Sequence, residues 1–348
     1  MEWTLLRDGE VMAGGVEKAP DVAPQKSAIV RIDYGDVDLD DGAEWLLNVD
    51  FVQNNKEGMV DPGQVMASSQ MEVASPAPKH EAMKNSRESS MKTAEAPEIY
   101  SDNTTHIIVE GDDFIVRFRK SNGYMDMYTV GGKSFLKKGA YLTPNFWRAP
   151  TADDYGAKLD KKYAGWKNPD IRLVGIESEE KDGCAVITAN YDIRNVKAGL
   201  TLRYVINPDG VVKVTESMKA DSEARVSPMF RFGMQMPMPA SYEWMVYYGR
   251  GPWENYSNRN TASRLGIYSQ SVDEQFHPYV KSQENGTKTD IRHLTLLDAT
   301  GRGLRIDSEI PFSASALHYS IESLDAGGQK ENHHSHLVDK PVSYTHLR

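Results

Sequence analysis

The sequence has a single cysteine among 348 residues. A disulfide framework and a cysteine-based zinc site are therefore excluded, and the redox compartment stays open. Cys184 sits in the strand-like run Cys-Ala-Val-Ile-Thr and reads as a small buried hydrophobe rather than a reactive thiol. No run of five or more basic residues occurs, and 50 Asp and Glu outnumber 40 Lys and Arg, for a net charge of −10. Phosphate contacts need clustered Lys and Arg, so no nucleic-acid partner is expected. Apolar runs last only a few residues, too short for a membrane span. Helical periodicity is scarce as well, with one short candidate near 158–166. No Gly-rich phosphate loop, Gly-x-Ser-x-Gly or His-Glu-x-x-His occurs.

What the chain does have is strand patterning. In 1–74, short apolar runs at 3–6, 28–32 and 45–52 lie between the turn signals Asp8-Gly9, Asp41-Gly42 and Pro62-Gly63. With a last strand at 65–73, this spacing predicts a β-sandwich. The N-terminus lacks a signal-peptide shape and enters as a strand, as expected of a domain begun partway. Ser, Pro, Ala, Lys and Glu dominate 75–98, which cannot bury enough apolar surface to offset its ordering entropy. The segment 75–103 is read as a flexible linker.

From 104 the chain turns strongly β. Phe114, Val116 and Phe118 alternate with Arg117 and Arg119, and Asn122-Gly123 signals a hairpin into 124–130. A second hairpin is predicted from 200–206 through Asn207-Pro208-Asp209-Gly210 into 211–215, with further strands at 171–178, 184–193, 227–236, 243–249, 289–298 and 303–307. The prediction for 104–348 is a large antiparallel β domain with long loops. No closing strand is visible after Leu324, so the domain is expected to be truncated at its C-terminus. The last residues, 341–348, resemble sequencing-adaptor read-through and are expected to be non-native, which resequencing the locus would check.

Three loops combine turns, carboxylates and aromatics. In the first, 145–156, Trp147 has the chemistry to stack on a sugar face while Arg148 and Asp154 bond hydroxyls; alternatively, the Arg–Asp pair and the Trp anchor the loop to a sheet. Asp153 and Asp154, being adjacent, make a poor acid/base pair. In the second, 249–259, Gly251-Pro252 turns the chain so that Trp253, Glu254 and Asn255 project outward, with Arg250 or Arg259 as the partner of Glu254. In the third, 276–286, His277 joins Glu284 and Asn285. A retaining glycosidase needs two carboxylates about 5–5.5 Å apart, and an epimerase needs a His and a carboxylate across the ring. Loop anchoring is the competing reading for each. Glu331-Asn332-His333-His334-Ser335-His336 resembles a metal-binding tract but has no companion ligand in view.

Phe146-Trp147-Arg148-Ala149-Pro150-Thr151, Gly249 to Tyr256, and Pro278-Tyr279 through Glu284-Asn285-Gly286 resemble, in order and spacing, the C-terminal domain of glycoside hydrolase family 2 β-galactosidases, known as the small chain or domain five. Residues 1–74 are similar to the end of the immunoglobulin-like domain four that precedes it. The resemblance implies an all-β fold: a partial immunoglobulin-like sandwich, then a galactose-mutarotase-like supersandwich. It implies a parent enzyme that releases terminal β-D-galactose with retention, using two glutamates and a divalent cation (Mg or Ca) held in an upstream TIM barrel. Nothing here matches that barrel. No catalytic residue, metal site or cofactor is therefore expected in this chain, and the implied partners are the barrel, as a domain or a separate subunit, and the β-galactoside substrate. The family also sends a Trp from a late loop into its active site, and the chain is expected to stop before that loop. Where the family commonly has Thr-Asp-Asn-Asp, this chain has Thr151-Ala152-Asp153-Asp154. The resemblance leaves three readings: a fragment of such an enzyme, the small subunit of a two-chain enzyme, or a stand-alone sugar-binding or epimerase-like module using His277 and Glu284.

Overall fold

The computed structural model describes residues 1–75, 95–101 and 104–325, and the backbone of 343–347. The first sheet is antiparallel, in the order β2-β1-β3-β4, and comprises β1 (Glu2–Arg7), β2 (Glu10–Val16), β3 (Trp45–Val52) and β4 (Val65–Ala74). Asp8 and Gly9 both take positive φ, 49° and 87°, closing the tight hairpin between β1 and β2. Two consecutive positive φ angles match the right-handed strand twist, which is why this dipeptide forms the turn. The turn was legible in the sequence, but its return strand was not. The strand expected at 28–32 is absent: that run is a loop in which Ile29 is 95% exposed. Trp3, Leu5, Trp45, Leu47 and Val49 form a small core, and Ile32, Tyr34, Val37 and Leu39 pack against it.

The remaining strands make three antiparallel sheets. One is β5 (Glu98–Tyr100), β6 (His106–Glu110), β7 (Phe114–Arg119), β8 (Met125–Val130) and β9 (Lys133–Ser134), in sequence order. β5 falls inside the segment read as linker and pairs with β6, because Ile99 and Tyr100 supply a short β-forming run beside a free edge. After β10 (Thr143–Asn145), α1 (Ala152–Gly156), α2 (Leu159–Lys162) and a 3₁₀ turn over Ala164–Trp166 come the four strands of the next sheet. These are β11 (Ile171–Lys181), β12 (Cys184–Ile193), β13 (Ala198–Ile206) and β14 (Val212–Ala220), also in sequence order. Cys184, at the start of β12, is buried.

The third sheet holds β15 (Gly233–Met238), β16 (Tyr242–Gly251), β17 (Arg264–Ser271), β18 (Lys288–Asp298), β19 (Gly303–Leu317) and β20 (Ser343–Leu347). Its order is β10-β15-β20-β19-β18-β16-β17. α3 (Ile321–Leu324) follows β19. A strand not seen in the sequence follows: β20 pairs antiparallel with both β15 and β19. Its Tyr-Thr-His-Leu run suits a pleated, paired backbone. β17 was also missed. The strand expected at 227–236 begins only at Gly233.

All three sheets contribute to one core. Phe114, Val116 and Phe118 of β7 are buried, as their alternation with arginines dictates, and so are Leu200, Leu202, Tyr204 and Ile206 of β13. A second seam joins the small sheet to this body, with Leu6 and Leu46 packed on Tyr248 and Leu265.

Candidate functional site

The loop at 145–156 is wound around a helix start that the sequence reading took as irregular. Thr151 caps α1 in a capping box with Asp154, a Thr-x-x-Asp signal present in the sequence. The Asp154 carboxylate receives Arg148 Nη1 at 2.6 Å, Arg148 Nη2 at 3.2 Å and the Thr151 N–H at 2.8 Å. Desolvation opposes its ionisation, but Arg148 and the Thr151 bonds outweigh that cost and hold it below the usual carboxylate range. Arg148 also lies over the Phe230 ring, 4.3 Å from its centroid. Trp147 is 4% exposed, packs edge-on against Phe230, and donates from Nε1 to Asp325 Oδ2 at 3.3 Å. Asp325 also accepts from Tyr155 Oη at 2.9 Å and from Lys167. It is a hub of this end of the molecule that no local motif announced.

The other two loops are stitched together. The Glu254 carboxylate accepts from the Gly286 N–H at 2.7 Å, from Arg259 and from the Tyr279 hydroxyl. Desolvation and then the hydrogen bond to Glu254 raise the Tyr279 hydroxyl pKa. Arg259 is therefore the cation beside Glu254, while Arg250 instead bonds Asp290 and the Ser263 carbonyl. Asn255 is fully buried. Its amide donates to the carbonyls of Arg250 and Trp253 at 2.9 and 3.0 Å, and its oxygen accepts from Thr289 N and Oγ1 at 3.0 and 2.6 Å. Gly286 has φ +76°, and a Cβ there would meet Leu317 Cδ2 at 2.8 Å and the Gln275 carbonyl at 2.9 Å. Only glycine lets the backbone approach closely enough to donate to Glu254.

Glu284 is buried against Arg231, 53 residues away in sequence, and accepts from Thr287 Oγ1 at 3.0 Å. Asn285 is 1% exposed, donates to the Gln283 carbonyl and accepts from the His277 N–H at 3.4 Å. Lys288 is buried beside them, and desolvation lowers its pKa to about 8 against the opposing pull of Glu254. Desolvation, then Glu284 and Glu254, raise the Tyr256 hydroxyl pKa. Three candidates stay at the surface: Trp253 is 73% exposed, Arg259 is exposed while it bonds Glu254, and the exposed His277 stacks edge-on against Tyr279 with centroids 4.2 Å apart.

A nucleophile or general base needs an open lone pair facing substrate. The Glu254, Glu284 and Asp154 carboxylates instead face arginines, hydroxyls and backbone N–H groups of this chain. They hold loops together. The sequence reading missed Arg231, Lys288, Asp290 and Asp325 because they lie outside the motifs. Among the described residues, no group of three or more His, Cys, Asp or Glu side chains could hold a metal ion, so no ligand set here fits the implied divalent cation. The Glu331–His336 tract lies outside the described residues. No helix among the described residues is long and apolar enough to cross a membrane.

Fold and loops together define an antiparallel β-sandwich protein whose polar loop motifs brace the sheets. Residues 110–348 match the family described as "Beta galactosidase small chain", and residues 1–74 match "Beta-galactosidase, domain 4". The chain belongs to the β-galactosidase small-chain family. It is 28% identical over 330 residues to a β-galactosidase of Priestia megaterium, covering 93% of this chain and 30% of that protein. It is 27% identical to one of Halalkalibacterium halodurans, covering 93% and 31% of the two chains. Against one of Lactobacillus delbrueckii subsp. bulgaricus the identity is 30%, over 71% of this chain and 24% of the relative. The chain thus spans about 30% of the length of the first two of these relatives.

Proposed function

We propose that this chain acts as the non-catalytic C-terminal portion of a β-galactosidase, one that releases terminal non-reducing β-D-galactose with retention. It covers the catalytic barrel and shapes the sugar site. The observation that carries this reading is the engagement of Glu254 by Arg259, Tyr279 and Gly286 and of Glu284 Oε1 by Arg231 and Thr287. Carboxylates so engaged brace loops and leave the chemistry to residues elsewhere. The relatives' names and the length they add beyond this chain support a partner portion that carries the catalytic glutamates. The test is a chromogenic β-galactoside offered to the purified chain. No turnover is expected, and turnover at rates comparable to intact β-galactosidases would sink the proposal. Co-expression with a barrel-bearing portion should restore hydrolysis.

The description of the matching family as a small chain favours a second reading, in which this is the separate subunit of a two-chain enzyme. A neighbouring open reading frame encoding the barrel would select that reading. An uninterrupted frame running upstream from Met1 into a barrel would select the first.

A further inference from the structure

Residues 27–34 run past the small sheet without joining it. None of their backbone N–H or C=O groups has a hydrogen-bond partner among the described residues. Yet the segment is patterned as a strand. Ile32 and Tyr34 pack against the small core, whereas Ile29, 95% exposed, and Arg31 and Asp33 face solvent. That two-residue alternation is what a strand lying flat on a sheet shows.

The face it covers carries Trp3, Leu5, Trp45, Leu47 and Val49; the opposite face meets the large body through Leu6 and Leu46. The cover is partial. Phe51, on the same face as Val49, is 40% exposed, and Met71, opposite Leu47 in the register, is 43% exposed. An apolar sheet face is buried by a second layer. Here that layer holds one strand-like segment, and both of its edges are free. Free strand edges are templates for a further strand. A solvated loop would account for the free backbone groups, but not for the alternation beside an uncovered Phe51 and Met71.

A second copy of this chain is a poor occupant. Asp33, Asp36, Asp38, Asp40 and Asp41 lie in or just after the segment, with no Lys or Arg between 32 and 42. Pairing two copies would bring both acidic runs together, and facing like charges are unfavourable. The relatives offer another source of strands, because this chain spans only about 30% of their length.

We propose that residues 28–34 are a docking strand, to whose backbone a strand from the catalytic portion of the enzyme pairs, covering Phe51 and Met71. This rests on the reading above that such a portion accompanies the chain. Main-chain hydrogen bonds supply the affinity, and Ile29 is the side chain that the partner reads.

The test is hydrogen–deuterium exchange of the full chain, alone and mixed with the portion of the Priestia megaterium β-galactosidase outside the region of similarity. Alone, the chain should sediment as a monomer and exchange freely at 28–34. In the mixture a complex should form and those amides should become protected. Ile29→Asp should weaken association about tenfold, the worth of one buried isoleucine. Its urea midpoint should not move, since the Ile29 side chain is exposed. Val211→Asp, at an exposed site between β13 and β14, should leave association unchanged. A complex in which 28–34 still exchanges freely would overturn the proposal and leave the proposed function standing. Failure to form any complex would overturn both. A dimer of the chain alone with protection at 28–34, or equal weakening by the two substitutions, would also overturn the docking strand.

Discussion

Asn255 shows how much a single loop side chain can hold. Its amide bridges the Arg250 and Trp253 carbonyls to Thr289, at zero exposure. Asn255→Ala removes these bonds and strands buried donors and acceptors; an unfolding cost of about 3 kcal/mol is expected by urea denaturation. Glu216, on β14, makes the opposite contribution at high pH. Desolvation raises its folded pKa to about 8, above its unfolded value of 4.5, so the native state binds the extra proton between those values. Stability contributed by this group is complete below pH 4.5 and is lost as pH rises through 8. At about 1.4 kcal/mol per pKa unit, the full shift caps this effect near ~5 kcal/mol, and the half-buried position of the residue reduces it. Glu216→Gln should therefore stabilise the chain more at pH 9 than at pH 5, by about 1–2 kcal/mol. Thermal melts at the two pH values check this, and an equal shift at both would refute it.

At the scale of elements, the seam between the small sheet and the large body rests on one buried acid. Glu44, just before β3, accepts from Arg292 Nε and Nη2 of β18 at 3.0 and 2.6 Å and from the Tyr248 hydroxyl of β16. Asp50 pairs with Arg264, and Gln70 exchanges two hydrogen bonds of 2.8 Å with the Leu265 backbone. Gly9 fits beneath Tyr248 and Ile267, where a Cβ would come within 2.8 Å of the Tyr248 ring. Arg292→Met leaves Glu44 buried without its cation and should cost about 3–5 kcal/mol. Adding Glu44→Gln should recover much of that loss, and a double-mutant cycle with no coupling would contradict this account. Elements whose apolar residues alternate, such as β7 and β13, were legible in the sequence, as was the Asn122-Gly123 hairpin. β2 was not, because Glu-Val-Met-Ala-Gly-Gly-Val carries two glycines and only half-buries one face. The loop at 28–32 has strand composition, but its backbone finds no partner strand. Composition proposes a strand, and an available edge decides whether it forms.

Among the described residues, that seam joins a large core to a small one, and Ala149, Leu317, Tyr319 and Leu324 form a separate minor cluster. The small core contains Trp3 and Trp45, the large one Trp147 and Trp166. Because the seam buries Leu6, Leu46, Tyr248 and Leu265 together with the Glu44–Arg292 pair, the two cores should unfold in one transition. Tryptophan fluorescence and far-ultraviolet circular dichroism should give coincident urea curves, whereas two separated steps would show that the seam does not couple them. The sequence by itself determined the all-β class, most strand positions and the three motifs that mark the family, because alternation and turn chemistry are local. It could not say what those motifs do. Arg231 reaches Glu284 across 53 residues, and Asp325 reaches Trp147 across 178. Such partners meet only when sheet pairing brings distant segments together. The tertiary structure therefore decided that Glu254 and Glu284 brace loops, and that Glu216, outside all three motifs, is a buried carboxyl whose Oε1 has no hydrogen-bond partner among the described residues.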